Sequence, residues 1–282
     1  MLNLVYDETF EQYRAAEGLN KSGIDRLLLC PAEYRAMLDQ PAEPTPAMKF
    51  GTMFHCRVLQ SSEYVRSYHV LSADPRTKDG KAEKAKAEED GLTVISMTDF
   101  EKASRMLQNL HANARIDALI SRLPGDAEVS CYWEHDVDGD TIQCKARIDR
   151  LAILPSGEVI AVDLKTTSGG LTTEDISRHI AQFRYHRQSA WYVHGLAAQG
   201  LAVNAFVFVF VQTVPPYLCR AVTLDAEAEA LGLRECEMAA RIYRNCKRDE
   251  VWPSYSEDVE EVSLPLWYDR ISPAASVMPT SY

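Results

Sequence analysis

A chain of 282 residues, 46% hydrophobic and 25% charged, can bury a large core and fits one large domain. No apolar run approaches the ~20 residues of a membrane helix, and the opening MLNLVYDETF lacks the basic-then-apolar order of a secretion signal, so the cytoplasm is the expected location. The net charge of -11 argues against a uniformly basic nucleic-acid binder, yet bases outnumber acids from Ile142 to His194 and the acids gather from Leu224 onward.

In chain order, SGID reads as a helix start, with Ser22 as cap and Asp25 as the acid of a capping box, and helical residues run on toward Pro31 and Tyr34. PAEPTPAM, with Pro41, Pro44 and Pro46, is a linker that cannot be helical throughout. MKFGTMFHCRVLQ then predicts a helix carrying Gly51, His55 and Leu59 on one face. Residues 74–91 are almost wholly polar and suit a solvated helix or a loop, or else an element that orders over a ligand. Thr98 with Glu101 opens another helix through Leu110, and a short helix covers Asn113 to Arg122.

Beyond Pro124 the period changes. EVSCYWEHDV and TIQCKARIDRLAIL read as strands joined at Asp138-Gly139, a strong hairpin signal, and EVIAVDLKTT is a third strand after Pro155-Ser156-Gly157. A long helix from Thr173 to about Ala198 follows, then the buried strand AFVFVFVQ, the strand YLCRAVTL and an acidic amphipathic helix from Asp225 to Arg248. WPSYSEDVEEVSLPLWYDR, rich in Trp, Tyr and acids, suits a cover over the core or over a neighbouring subunit. The expected fold is α/β (α+β): a central mixed sheet flanked by helices, with an N-terminal helical region. The chain is expected to be a single domain, with a helical segment and linker at 1–47, a helical region at 48–123, the sheet and its helix at 124–224, and a helix and tail at 225–282. Seven cysteines without a CxxC pair indicate neither a disulfide framework nor a structural zinc site.

The hairpin turns set a register. A three-residue loop over Pro155–Gly157 pairs Leu154 with Glu158 and so places Asp149 opposite Asp163 and Arg147 opposite Lys165. A two-residue turn at Asp138-Gly139 pairs Val137 with Asp140 and brings Glu128 opposite Asp149. Three carboxylates in one row, with β-carbons about 5 Å apart, repel unless a cation sits among them.

Asp149, followed by Asp163-Leu164-Lys165, resembles the signature of the PD-(D/E)XK nuclease superfamily: an acid, a hairpin, and a second acid two residues before a lysine. The upstream helix with Gly51 and His55 and the downstream pair Gln188 and Tyr192 look like its RecB-like branch. SGIDRLLLCPAEYRAML before GTMFH, and CKARIDRL before VDLKTT, are most similar to RecE-type exonucleases, relatives of lambda exonuclease. Gln60 departs from the acid that many RecB-like members carry after this helix.

The resemblance implies a restriction-endonuclease-like core and Mg2+- or Mn2+-dependent hydrolysis of DNA. It implies Mg2+ or Mn2+ held by His55, Asp149, Asp163 and the Leu164 carbonyl, with Glu128 as a further ligand. Lys165 would act on the attacking water or the scissile phosphate, and Gln188 and Tyr192 would support it. Ser22, Lys145, Arg147, Arg184, Tyr185 and Arg187 are the candidate DNA contacts. No iron-sulfur cluster is expected, because Cys219, Cys236 and Cys246 are widely spaced. The implied activity is a 5'-to-3' exonuclease on double-stranded DNA ends, working beside a single-strand annealing protein, as a homo-oligomeric ring. An endonuclease of the same fold and a non-catalytic binding subunit are the alternatives.

Overall fold

The computed structural model describes residues 3–40, 43–265 and 268. Its elements are β1 (Leu4–Val5), α1 (Phe10–Ala15), α2 (Lys21–Leu29), α3 (Pro31–Asp39), α4 (Pro46–Leu59), α5 (Ser61–Ser67), β2 (Tyr68–Val70), α6 (Lys78–Glu89), β3 (Thr93–Ile95), α7 (Met97–Ala112) and α8 (Ala114–Asp117), which runs into a π-helical turn at Ala118–Arg122. There follow β4 (Gly125–Val137), β5 (Asp140–Ile153), β6 (Val159–Thr167), α9 (Thr173–Phe183), α10 (Tyr185–Ala198), β7 (Val203–Gln212), β8 (Cys219–Val222) and α11 (Ala226–Asp249). Among the described residues no helix is long and apolar enough to cross a membrane.

Six strands form one mixed sheet in the order β1-β4-β5-β6-β7-β8, in which only β6 and β7 run parallel. Both faces are covered, which is why β7 is apolar from Ala205 to Val211. Phe206, Phe208 and Phe210 enter the core beneath α2, α10 and α11, while Val207, Val209 and Val211 enter the core beneath α4 and α7.

Both hairpins take the expected register. Val137 pairs with Asp140, with Asp138 and Gly139 at positive φ (52° and 89°), as a primed two-residue turn requires. Ile153 pairs with Val159, and the Leu154 amide donates to the Glu158 carbonyl. The 74–91 segment carries the helix α6 (Lys78–Glu89), tethered where Glu83 accepts from the backbone amides of Ser72 and Ala73.

Local starts differ from the sequence expectations. Asn20, not Ser22, caps α2 by accepting from the Gly23 amide, so Ser22 lies inside the first turn and Asp25 instead pairs with Lys21 at 2.7 Å. Cys30 ends α2, and Pro31 opens α3 as a separate helix. Ser96 with Asp99 opens α7 two residues ahead of Thr98. The expected long helix from Thr173 is two helices, broken at Arg184, whose φ of 56° is left-handed. Trp252 packs on Tyr34 at 5.4 Å between ring centres and so covers the core; Pro41 and the last residues of the WPSYSEDVEEVSLPLWYDR segment lie outside the described residues.

Lys145 is buried, and its ammonium donates to the carbonyls of Tyr13 (2.8 Å), Ala16 (2.5 Å) and Arg14 (3.3 Å). This corrects its expected role as a phosphate contact: its donors tie the N-terminal segment to β5. Lys145→Met strands those carbonyls and is expected to lower unfolding stability by about 1–3 kcal/mol, measured by urea denaturation. An unchanged midpoint would show that this tether contributes nothing.

Candidate active site

The β5–β6 ladder stops at Arg150 with Val162, although both strands continue, β5 paired to β4 and β6 to β7. The sheet therefore forks, and the acids sit at the fork. Asp149 spans it: its Oδ2 accepts from the Leu164 amide of β6 at 2.8 Å, standing in for a ladder bond. Side-chain alternation breaks at the same point, since Ile148 and Leu151 both enter the same core. Across β4, Glu128 adopts a left-handed φ of 55°, while the pairs on either side, Ala127 with Arg150 and Val129 with Ile148, keep one register. A non-glycine residue in that region stores backbone strain.

Two helices bring side chains to the fork. From α4, His55 Nδ1 lies 3.5 Å from Asp149 Oδ2, with the imidazole beside the Leu164 backbone. His55, Glu128 and Asp149 offer ligand atoms that all lie within 4.8 Å of one another. From α10, Gln188 bridges the other pair: its Oε1 accepts from Lys165 Nζ at 2.9 Å, and its Nε2 donates to Asp163 Oδ2. Lys165 Nζ lies 2.5 Å from Asp163 Oδ1 and 4.5 Å from the centre of the Tyr185 ring. Tyr192, one turn beyond Gln188, is buried and is influenced by Asp163 and Asp149. Asp163 is thus turned toward Lys165 and Gln188, while Asp149 faces His55 and Glu128.

The electrostatics follow from crowding acids in a half-dry place. Burial first, then repulsion from Asp163 and Glu128, raises the Asp149 carboxyl well above the usual range. Burial also raises Glu128, against the opposing pull of Arg147, whose Nε donates to it at 2.7 Å. Burial works to lower Lys165, but Asp163, Tyr185 and Asp149 outweigh it and hold the ammonium above its ordinary value. Burial, helped by the Lys165 charge, lowers His55 to about 4, which leaves it a neutral imidazole at neutral pH.

These groups fit a divalent cation. A neutral imidazole, carboxylates held against their mutual repulsion and a backbone carbonyl are hard or borderline donors. His55, Asp149, Glu128 and the Leu164 carbonyl would hold the ion, with Asp163 beside it.

The remaining candidates divide. Arg187 is buried between Asp25 (3.0 Å) and Glu235 (2.6 Å), which corrects its expected phosphate role: its donors lock α10 to α2 and α11. Arg147 is also buried, spent on Glu128, Ser130 and the Glu8 carbonyl, so it supports Glu128 and leaves no free fork for DNA. Arg184 and Ser22 remain exposed. Lys21, which the sequence reading passed over, donates to the Phe183 carbonyl at 2.8 Å and lies 5.6 Å from the Tyr185 ring centre. Nothing in the spacing of Lys21 marks it, because its neighbourhood is assembled from residues 160 positions away in the chain, as with its bond to Phe183 (|i−j| = 162).

Residues 20–265 match the family described as PDDEXK-like domain of unknown function (DUF3799). The chain is similar to a crystal structure described as "Putative exonuclease" from Eubacterium rectale, at 16% identity over 95% of this chain and 99% of that one, with a TM-score of 0.61. That likeness is one of fold. A second solved structure, SSO0001, aligns over 69% of this chain and 86% of that one at 14% identity, and its TM-score of 0.32 carries no argument. No curated protein matches the sequence.

A raised carboxyl pKa means that the fold prefers Asp149 protonated, so this stabilisation is present at low pH and is lost as pH rises through the raised value. In a chelator at neutral pH, Asp149→Asn is therefore expected to raise the melting temperature, by about 2–4 °C for each ~1 kcal/mol of relieved repulsion. Mg2+ or Mn2+ should then stabilise the wild type but not the variant. A lower chelator melting temperature for Asp149→Asn would show that the acids do not repel.

Proposed function

The chain belongs to the PDDEXK-like domain family, and on that premise we propose that it is a divalent-metal-dependent deoxyribonuclease that hydrolyses phosphodiester bonds at the ends of linear double-stranded DNA. One observation carries the reading: Asp149, Asp163 and Lys165 meet at the fork of the sheet, with His55 on one side and Gln188 on the other. When bound, a divalent ion supplies an activated water and charge stabilisation for the phosphoryl group.

The protein's own groups do the rest. Lys165 stays an ammonium and can donate to the attacking water or to a non-bridging phosphate oxygen as negative charge builds there. Gln188 fixes both the lysine and Asp163, since its amide has one orientation that lets it accept from the first and donate to the second. Neutral His55 keeps a lone pair for coordination at neutral pH. Tyr185 walls the lysine and limits water around it, and Tyr192 is buried one turn beyond Gln188. Arg184 and Ser22, exposed beside this wall, are the proposed backbone-phosphate contacts.

An exonuclease acting 5'-to-3' beside an annealing protein in recombination, assembled as a ring, is the finer reading. Its support is the likeness of SGIDRLLLCPAEYRAML and VDLKTT to RecE-type enzymes, and the exonuclease description carried by the similar crystal structure.

With Mg2+ or Mn2+, purified protein is expected to shorten linear duplex DNA and to leave closed circular duplex intact. Asp163→Ala and Lys165→Ala should each reduce the rate by about 10²–10³-fold or more, and Gln188→Ala by less. Cleavage of the circle would turn the reading to an endonuclease. Intact linear DNA at low salt with either metal would leave a binding subunit.

A further inference from the structure

A second cluster of ligating side chains lies well away from the fork. His135 on β4, His194 on α10 and Glu237 on α11 offer ligand atoms that all fall within 4.8 Å of one another. His135 sits seven residues along β4 from Glu128, about 23 Å of strand. His194 sits six residues along α10 from Gln188, about 9 Å of helix axis. No motif in the sequence predicts this cluster, because its members come from three separate elements.

The geometry suits a transition metal. His194 Nε2 lies 3.2 Å from His135 Nδ1, and His135 Nε2 lies 3.3 Å from Glu237 Oε2. Atoms bonded at about 2.0–2.1 Å to a tetrahedral centre are about 3.3 Å apart, so the His194–His135 separation matches an edge of that polyhedron, while Glu237, paired to the other nitrogen of His135, keeps an oxygen within 4.8 Å of a ligand nitrogen of each histidine. The ring of His194 lies stacked on Trp191 (6.1 Å, 15°), and the edge of His135 meets the same indole (6.0 Å, 79°). Trp133 completes an apolar floor. Such a floor fixes both imidazoles and keeps water to the open side, where Glu237 is half exposed. Of the arginines flanking Glu237 on α11, Arg241 faces Asp138 at 3.8 Å, so it does not close the site.

We propose that His135, His194 and Glu237 form a second, structural metal site that takes Zn2+ with water as fourth ligand and clamps α10 and α11 to β4. Two imidazoles and one carboxylate favour zinc over the magnesium-type ions suited to the fork.

Co2+ titration of the full chain tests this. Asp149→Asn is used as the parent so that the fork contributes little, and since all comparisons share that substitution they do not depend on the nuclease reading. The parent should bind one equivalent of Co2+ with the visible absorption of a tetrahedral ion, and Zn2+ should displace it and raise the melting temperature. Adding His194→Gln or Glu237→Gln should abolish the band and weaken binding by at least about 100-fold. Metal-free melting curves check that these half-exposed positions leave the fold intact. Should a variant fail to fold, Zn2+-induced shifts of the His135 and His194 ring resonances in the parent decide the matter. Absence of the band in the parent, or an equal band in all three proteins, would overturn the proposal, leaving a Glu237–His135–His194 hydrogen-bond chain.

Discussion

The hydrogen bond from the Leu164 amide to Asp149 Oδ2 is the contact on which the site depends. A strand pair that simply ended would leave a buried amide without a partner, at a cost of about 1–3 kcal/mol. With the carboxylate in that place, β5 and β6 part without this loss, and the parting leaves room for side chains from both faces of the sheet. His55 arrives from α4 and Gln188 from α10, two helices that elsewhere pack on opposite cores. The same oxygen satisfies the backbone and faces the histidine, so structure and chemistry share one atom.

Around that bond the charges sort into two halves. On one side, acids and a neutral imidazole stand ready for a cation, strained by burial and by each other. On the other, an ammonium is stabilised by Asp163 and braced by an amide. Arg147 offsets part of the cost at Glu128, and the left-handed backbone there is held by flanking pairs that stay in register. Strain and repulsion gathered in one small region fit a site built for function, since a purely structural sheet would have no reason to keep them.

Much of this was legible in the chain because turns determine register. Asp138-Gly139 and Pro155–Gly157 each permit one compact loop, and counting from them reaches Glu128, Asp149 and Asp163 without any tertiary information. The apolar run of β7 likewise announced its double burial. Helix starts were less readable, because Asn20 and Ser22, or Ser96 and Thr98, are near-equivalent caps and neighbours decide between them. Lys145, Arg147 and Arg187 misled for a different reason: a basic residue on a strand or helix looks the same whether it meets phosphate or buried carbonyls and carboxylates. Which of these it meets depends on distant segments: Tyr13 of α1 lies 132 residues from Lys145, and Asp25 of α2 and Glu235 of α11 lie 162 and 48 residues from Arg187.

The left-handed residue at 184 separates two tasks that one continuous helix would have to share. Gln188 must keep its place over β6, so α10 is tied in position by Asp25 and Glu235 through Arg187. On the other side of the joint, α9 is free of that tether and carries the half-exposed Phe183 beside Tyr185. Changes on the exposed face of the first helix therefore leave the seat of Gln188 over β6 undisturbed.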